Sequence, residues 1–293
     1  MSKIAWIYPG QGSQAVGMGV DLKETKTATA LFEQAEKILG WSVLEKCQGD
    51  EEQLSQTLYT QPCLFVIESI LTDILVEKGH LPDLVAGHSL GEYSALYAAR
   101  VFDFETGLKL VKKRAELMDQ AAGGKMAAVM KFDREKLESL IINTPDLVIA
   151  NDNSSEQVVI SGTPEAVDTV LPQITAKRVV ALKVSGAFHS PLMQDAAEQF
   201  QQILDSVSFN DAKVPVLSNV DPTPTTNAQT LKTRLIQQMT GSVRWREIML
   251  QLPNEEITQV IEVGPGKVLT GLVKRTCPDI DLKNVGTLAD ISQ

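Results

Sequence analysis

The pentapeptide Gly87-His88-Ser89-Leu90-Gly91 constrains this chain more than any other stretch. An apolar segment, Leu84-Val85-Ala86, precedes it, and Tyr93-Ser94-Ala95-Leu96-Tyr97-Ala98-Ala99 follows with helical composition. Gly-x-Ser-x-Gly between a strand and a helix is the nucleophile-elbow pattern. A serine at the tip of a sharp turn projects its hydroxyl, and flanking glycines let strand and helix approach without Cβ collisions. The following helix aims backbone N–H groups and a positive dipole end at that hydroxyl, where a developing anion would be stabilised. Ser89 is therefore a candidate nucleophile; a plain strand-to-helix turn is the competing reading.

An elbow of this kind needs a large α/β frame. The chain has 293 residues, 43% hydrophobic and 22% charged, enough for one large domain or a domain with an insertion. Its formal net charge of −10 argues against nucleic acid or an anionic membrane as the main partner. No uninterrupted apolar stretch approaches the roughly 20 residues of a membrane span. The opening residues are broken too soon by Pro9 for a signal peptide. Cys47, Cys63 and Cys277 are odd in number and form no Cys-x-x-Cys pair, so neither a disulfide framework nor a structural zinc site is expected. A soluble cytoplasmic protein is the expectation.

In chain order, Lys3 to Tyr8 reads as a buried first strand running into Pro9-Gly10-Gln11-Gly12-Ser13-Gln14. Two glycines around one glutamine suit either a sharp bend that presents an amide or N–H inward, or an ordinary turn. No Gly-Lys-Ser/Thr follows, which excludes a phosphate-cradling loop. Helical patterns cover 27–39 and 61–79, the second with Pro62 in its first turn. A helix over about 104–121 carries a solvated face of Lys109, Lys112, Lys113, Glu116 and Gln120. Its other stripe, Gly107, Leu110, Arg114, Leu117 and Ala121, is apolar except for Arg114. A guanidinium there requires an anionic partner. Two are open: a neighbouring Asp or Glu, or a substrate carboxylate held in a bidentate clamp.

From Lys125 to about Ala187 the pattern shortens to a strand (126–130), a helix (134–142) and a strand (147–150), then a strand (157–161), a helix (164–174) and a strand (179–184). Asn151-Asp152-Asn153-Ser154-Ser155 is the expected hairpin turn. This β-α-β-β-α-β order predicts a small ferredoxin-like subdomain over 125–187. It would be inserted in a large α/β-hydrolase-like subdomain with a parallel sheet, built from 1–124 and 188–293. Ser185-Gly186-Ala187-Phe188-His189-Ser190-Pro191 returns the chain to the large unit, with Ser190 a helix N-cap and Pro191 at the first helical position. The helix's positive end would favour a neutral His189 imidazole, as a base for Ser89 or simply as a packed residue. His80 lies in a loop, and His88, beside the serine, should point its side chain away. A strand around 214–218, helical text over 228–250, a strand at 260–263 and Gly264-Pro265-Gly266-Lys267 before a last helix complete the large unit.

Together these motifs resemble the malonyl-CoA:acyl carrier protein transacylases of bacterial fatty acid synthesis and the acyltransferase domains of polyketide synthases. The resemblance covers essentially the whole chain. It runs through Pro9-Gly10-Gln11-Gly12-Ser13-Gln14, Thr60-Gln61-Pro62, Gly87-His88-Ser89-Leu90-Gly91-Glu92-Tyr93-Ser94-Ala95 and Arg114 in Arg-Ala-Glu-Leu-Met. Gly186-Ala187-Phe188-His189-Ser190, Val243-Arg244-Trp245 and Glu262-Val263-Gly264-Pro265-Gly266 complete it. It implies that Ser89 is the nucleophile that becomes malonylated, with His189 as its base. The N–H groups of Gln11 and Leu90 would form the oxyanion hole, and Arg114 would bind the malonate carboxylate. No aspartate completes the triad; a main-chain carbonyl, mapping onto Gln238, takes that place. Gln61 and Asn153 match polar residues near the family's site. Phe188 resembles the malonyl-selecting version, where methylmalonyl-selecting relatives tend to carry a smaller residue.

The resemblance implies no cofactor and no metal. Its substrates are malonyl-CoA and holo-acyl carrier protein, and a monomer is expected. Two departures fall in or beside the small subdomain: a shortened Ala121-Ala122-Gly123-Gly124-Lys125 loop, and Ser154-Ser155-Glu156 where Ser-Pro-Gly is common. Carrier proteins are acidic, as is this chain, so docking is expected on a local basic patch at Lys267, Lys274 and Arg275. The competing readings are a polyketide acyltransferase acting in trans, a serine hydrolase that need not use Arg114, and a non-catalytic carrier-binding protein.

Overall fold

The computed structural model describes residues 2–121 and 123–291. Among the described residues nine strands run in chain order: β1 (Lys3–Tyr8), β2 (Leu84–Gly87), β3 (Lys125–Phe132), β4 (Leu147–Ser154), β5 (Gln157–Gly162), β6 (Ala176–Ala181), β7 (Val216–Leu217), β8 (Ile257–Val263) and β9 (Asp281–Val285). They form two sheets. The larger has five parallel strands in the order β7-β2-β1-β8-β9. Its central text, Ala5-Trp6-Ile7-Tyr8 and Leu84-Val85-Ala86, is buried throughout, as strands covered on both faces must be. Because the strands are parallel, the loops after β1, β2 and β8 leave from one edge. Those loops are Pro9-Gly10-Gln11, His88-Ser89-Leu90 and Gly264-Pro265-Gly266.

The Thr57–Glu77 helix packs behind this sheet and is buried on almost every face. It alone among the described helices is long and apolar enough to cross a membrane by length and composition, and 83% of its apolar window is buried. Thr60, Gln61, Glu68, Ser69, Thr72 and Asp73 interrupt it, so it is a core helix and not the uninterrupted apolar stretch that the sequence reading looked for. Phe65, Val66, Ile67, Ile70 and Leu71 are all fully enclosed, each contributing roughly 1.5–3 kcal/mol by burial. The helix begins earlier than its apolar text, so Pro62 falls inside it rather than in the first turn. The ring forgoes the bond to the Leu58 carbonyl, a cost that dense packing on all sides offsets.

The second sheet is antiparallel, order β4-β5-β3-β6, with the Arg134–Ile142 and Pro164–Val170 helices in the two crossovers. This is the β-α-β-β-α-β ferredoxin-like order. Two boundaries differ from the sequence reading. Asn151 to Ser154 is not a turn but the end of β4, with register shifts at Ile149/Asn151 and Asp152/Ser154. Polar residues hid the strand because bulges break its alternation and loops and helices packed beside it supply partners such as Val243, Arg246 and His88. The last strand ends at Ala181 rather than reaching Val184, and Leu182 and Val184 instead line a cavity. Ala122, in the loop that the sequence marks as shortened, lies outside the described residues.

The end of β4 is tied to the rest of the chain at a seam through Val243, which precedes the Trp245–Asn254 helix. Val243 N–H donates to the Ala150 carbonyl at 2.8 Å, and Asp152 N–H donates to the Val243 carbonyl at 2.9 Å. Asp152 also accepts from Arg134 at 2.8 Å and from Arg246 at 3.0 Å. This seam sets the end of β4 beside the loop after β2.

Candidate active site

The loop after β2 turns through Ser89, whose φ of 52° is positive. A non-glycine residue in that region is held there by its surroundings. The glycines explain how. A Cβ on Gly87 would lie 1.9 Å from the Gly91 backbone, and one on Gly91 would lie 2.1 Å from the Tyr8 carbonyl oxygen. Strand, turn and the Gly91–Ala98 helix therefore pack backbone against backbone, with Ser89 Oγ pushed outward.

His189 also has positive φ, 57°, just ahead of the Ser190 cap and Pro191. Its Nε2 lies 2.7 Å from Ser89 Oγ. Its Nδ1 faces the carbonyls of Gln238 at 2.9 Å and Gly241 at 3.2 Å. Carbonyls only accept, so Nδ1 carries the proton and Nε2 turns its lone pair to the serine. Burial and the nearby Arg114 cation lower the His189 pKa to about 3, against the two carbonyls. The imidazole is neutral at rest.

Arg114, 1% exposed, comes from the Phe104–Gln120 helix. Its Nη1 donates to Gln61 Oε1 at 2.6 Å, and its Nη2 donates to Ser89 Oγ at 3.0 Å and Gln238 Oε1 at 3.1 Å. Its face lies 5.4 Å from the Tyr93 ring centroid. Among the described residues no carboxylate makes a salt bridge with it, so the structural ion pair is absent and its charge is held by neutral acceptors.

These groups open on a cavity of about 220 Å³ that Gln11, Gln61, Ser89, Leu90, Arg114, Asn153, Phe188 and His189 all line. The backbone N–H groups of Gln11 and Leu90 meet no acceptor among the described residues. Phe188 is a buried wall. Asn153 is brought to the cavity but spends its Oδ1 on His88 Nε2, at 2.8 Å. His88, expected to point away from the serine, lines the same cavity, with its ring edge-on to Trp245. Val268, Leu269 and Leu272 of the Val268–Thr276 helix form one side of the mouth. Lys267, Lys274 and Arg275 are exposed at its two ends. Among the described residues no group of His, Cys, Asp or Glu is placed to hold a metal ion.

The sequence reading missed Asn219 and Glu92. Asn219 Oδ1 accepts from Ser89 N–H at 2.7 Å, and its Nδ2 donates to the Gly87 carbonyl at 2.6 Å. Glu92 Oε2 accepts from Asn219 N–H at 3.1 Å and from Gln238 Nε2 at 2.7 Å. Burial raises the Glu92 pKa. The one signal was an acidic residue directly after the elbow, in a helix too apolar to expose it.

A parallel α/β sheet bearing a serine on a strand-to-helix turn, with an imidazole on its hydroxyl, defines the serine acyl-transfer class. Within that class the chain belongs to the acyl transferase family, matching its acyl transferase domain over residues 5–290. It is 62% identical over 290 residues to the malonyl CoA-acyl carrier protein transacylase of Synechocystis sp., covering 99% of each chain. The crystal structure of the Synechocystis malonyl-CoA:ACP transacylase superposes with a TM-score of 0.98 over 99% of each chain. The polyketide biosynthesis malonyl CoA-acyl carrier protein transacylase of Bacillus subtilis is 41% identical over 95% of this chain and 98% of that one. A malonyl-transacylase solved in complex with its type II polyketide-synthase acyl-carrier protein has a TM-score of 0.94 at 36% identity, over 99% and 98% of the chains.

Proposed function

We propose that this chain transfers a malonyl group from malonyl-CoA to the phosphopantetheine thiol of an acyl carrier protein through an ester on Ser89. The observation that carries this reading is one hydroxyl held between a neutral imidazole and a buried, unneutralised guanidinium. The imidazole explains nucleophilic attack, and the guanidinium explains a carboxylated acyl group. His189 Nε2 takes the Ser89 proton as Oγ attacks the thioester carbonyl. The oxyanion falls to the N–H groups of Gln11 and Leu90, each worth roughly 2.7–4 kcal/mol of barrier in comparable sites. The C–S bond then breaks, and His189 returns its proton to the leaving thiolate. In the second half the carrier thiol gives its proton to His189 and attacks the Ser89 ester, which restores the serine. The Gln238 carbonyl on Nδ1 fixes the imidazole tautomer in place of a triad carboxylate.

Arg114 meets the malonate carboxylate, and Phe188 crowds a branch on its central carbon, a discrimination worth roughly 1–3 kcal/mol. Gln61 orients Arg114, and Asn153 anchors His88 on the cavity wall. In this reading 1–124 with 188–293 forms the catalytic unit, 125–187 is the inserted small unit, and the enzyme is a cytoplasmic monomer without a cofactor. Fatty acid synthesis is the favoured setting, because the relative at 62% identity is not named for polyketides whereas the Bacillus relative at 41% is. The test is transfer itself: with malonyl-CoA and holo-acyl carrier protein, the enzyme should place malonate on the carrier. Release of free malonate without carrier loading would indicate a hydrolase instead.

A further inference from the structure

Gln238 contributes more to the site than a backbone carbonyl. Its buried side chain accepts from Arg114 Nη2 through Oε1 at 3.1 Å. Through Nε2 it donates to the Ser89 carbonyl at 2.9 Å and to Glu92 Oε2 at 2.7 Å. Neighbours on both sides dictate which end of the amide faces which. A guanidinium has only donors and a carbonyl only accepts, so a flipped amide would set N–H against N–H and oxygen against oxygen. Arg114 Nη1 and Nη2 donate to Gln61 Oε1, Gln238 Oε1 and Ser89 Oγ, all neutral, and the guanidinium also lies over the Tyr93 ring. Glu92 is the nearest acid along this chain of contacts, and the Gln238 amide stands between it and the guanidinium. A neutral clamp orients a cation without cancelling its charge.

We propose that the Gln238 side chain is a positioning residue that sets the preference for carboxylated acyl groups. It aims Arg114 Nη2 at the Ser89 hydroxyl and separates the guanidinium from the Glu92 carboxyl, which leaves the positive charge for the incoming carboxylate. This rests on the acyl-transfer reading given above.

The test compares kcat/KM for Ser89 acylation by malonyl-CoA and acetyl-CoA in wild type, Gln238→Glu, Gln238→Met and Gln238→Glu/Glu92→Gln. Gln238→Glu puts a carboxylate on Arg114, so the malonyl-to-acetyl ratio should fall at least tenfold. Gln238→Met removes the acceptor without adding charge, and the ratio should fall about three- to tenfold. The double variant rebuilds the 92–238 hydrogen bond with donor and acceptor exchanged. It should recover Tm and acetyl transfer relative to Gln238→Glu, but not the ratio. Equal losses with both thioesters, leaving the ratio unchanged in both single variants, would mean a structural role only and overturn the inference. So would a ratio restored in the double variant. A wild type that forms no malonyl ester on Ser89 would overturn the acyl-transfer reading itself, and this inference with it.

Discussion

Arg114 and Ser89 are joined directly: Nη2 donates to Oγ at 3.0 Å. The same hydroxyl lies 2.7 Å from His189 Nε2, so a cation and a base converge on one oxygen. In the proposed reaction the cation would stabilise negative charge on the serine as its proton leaves, and it disfavours protonation of the imidazole beside it. Among the described residues no carboxylate makes a salt bridge with this buried cation, and in the proposed reaction the carboxylate end of the malonyl group would meet it.

Replacing Arg114 by Ala removes a charge-assisted interaction of about 1.5–3 kcal/mol, or roughly 10- to 150-fold in kcat/KM for malonyl-CoA. Acylation by acetyl-CoA should change far less. Arg114→Lys keeps the charge but not the fork, and should lie between. Parallel kcat/KM measurements with both thioesters check this; equal losses would remove Arg114 from acyl selection.

His189 sets the acid limit. With its pKa lowered to about 3 by burial and by Arg114, against an ordinary 6.5, the folded chain resists a proton that the unfolded chain accepts. Folding stability should therefore decline as pH falls from 6.5 towards 3. The base stays neutral throughout, so kcat/KM for acylation should show no inflection at the ordinary value of 6.5. Arg114→Gln removes one cause of the lowering and should move the acid limb upward. A wild-type inflection at 6.5 would contradict this assignment.

Glu68 lies fully buried in the long central helix, where Ser94 Oγ donates to its Oε2 and its Oε1 meets no partner among the described residues. Burial raises its pKa well above the ordinary 4.5. The folded chain keeps a proton that the unfolded chain releases, so this group's contribution to stability is lost as pH rises from 4.5 through the folded value. Glu68→Gln should flatten that decline and raise stability at pH 8 relative to pH 4.5. Thermal melts at two pH values measure it; an identical pH dependence would contradict it.

The sequence carried the frame because its signals are local. The elbow glycines, the buried strand of Lys3–Tyr8 and the alternating short elements of the second sheet each announce themselves within a few residues. Arg114 was legible as a charge on an apolar stripe. Asn219 and Glu92 were not, because their roles arise from side-chain bonds to residues far apart in the chain: Asn219 reaches back across 130 positions to the Ser89 amide. The end of β4 was misread for a related reason. Asn151, Asp152 and Asn153 look like turn chemistry, yet Val243, Arg246 and His88, on loops and a helix outside the small sheet, lie against them.

Docking of the acidic carrier should depend on Lys274 and Arg275, exposed on the helix whose start borders the cavity mouth. Reversing both to Glu should slow transfer to the carrier about tenfold at low salt, by losing electrostatic steering, while leaving Ser89 acylation by malonyl-CoA unchanged. Stopped assays of the two half-reactions separate these effects. Unchanged transfer would place the carrier on another face.

The central claim is a covalent one, and intact-protein mass spectrometry tests it most directly. After mixing with malonyl-CoA, wild type should gain one malonyl group, Ser89→Ala should gain none, and holo-acyl carrier protein should then remove the adduct and carry it. An adduct that persists in Ser89→Ala, or one lost to water and never found on the carrier, would contradict transfer through the serine.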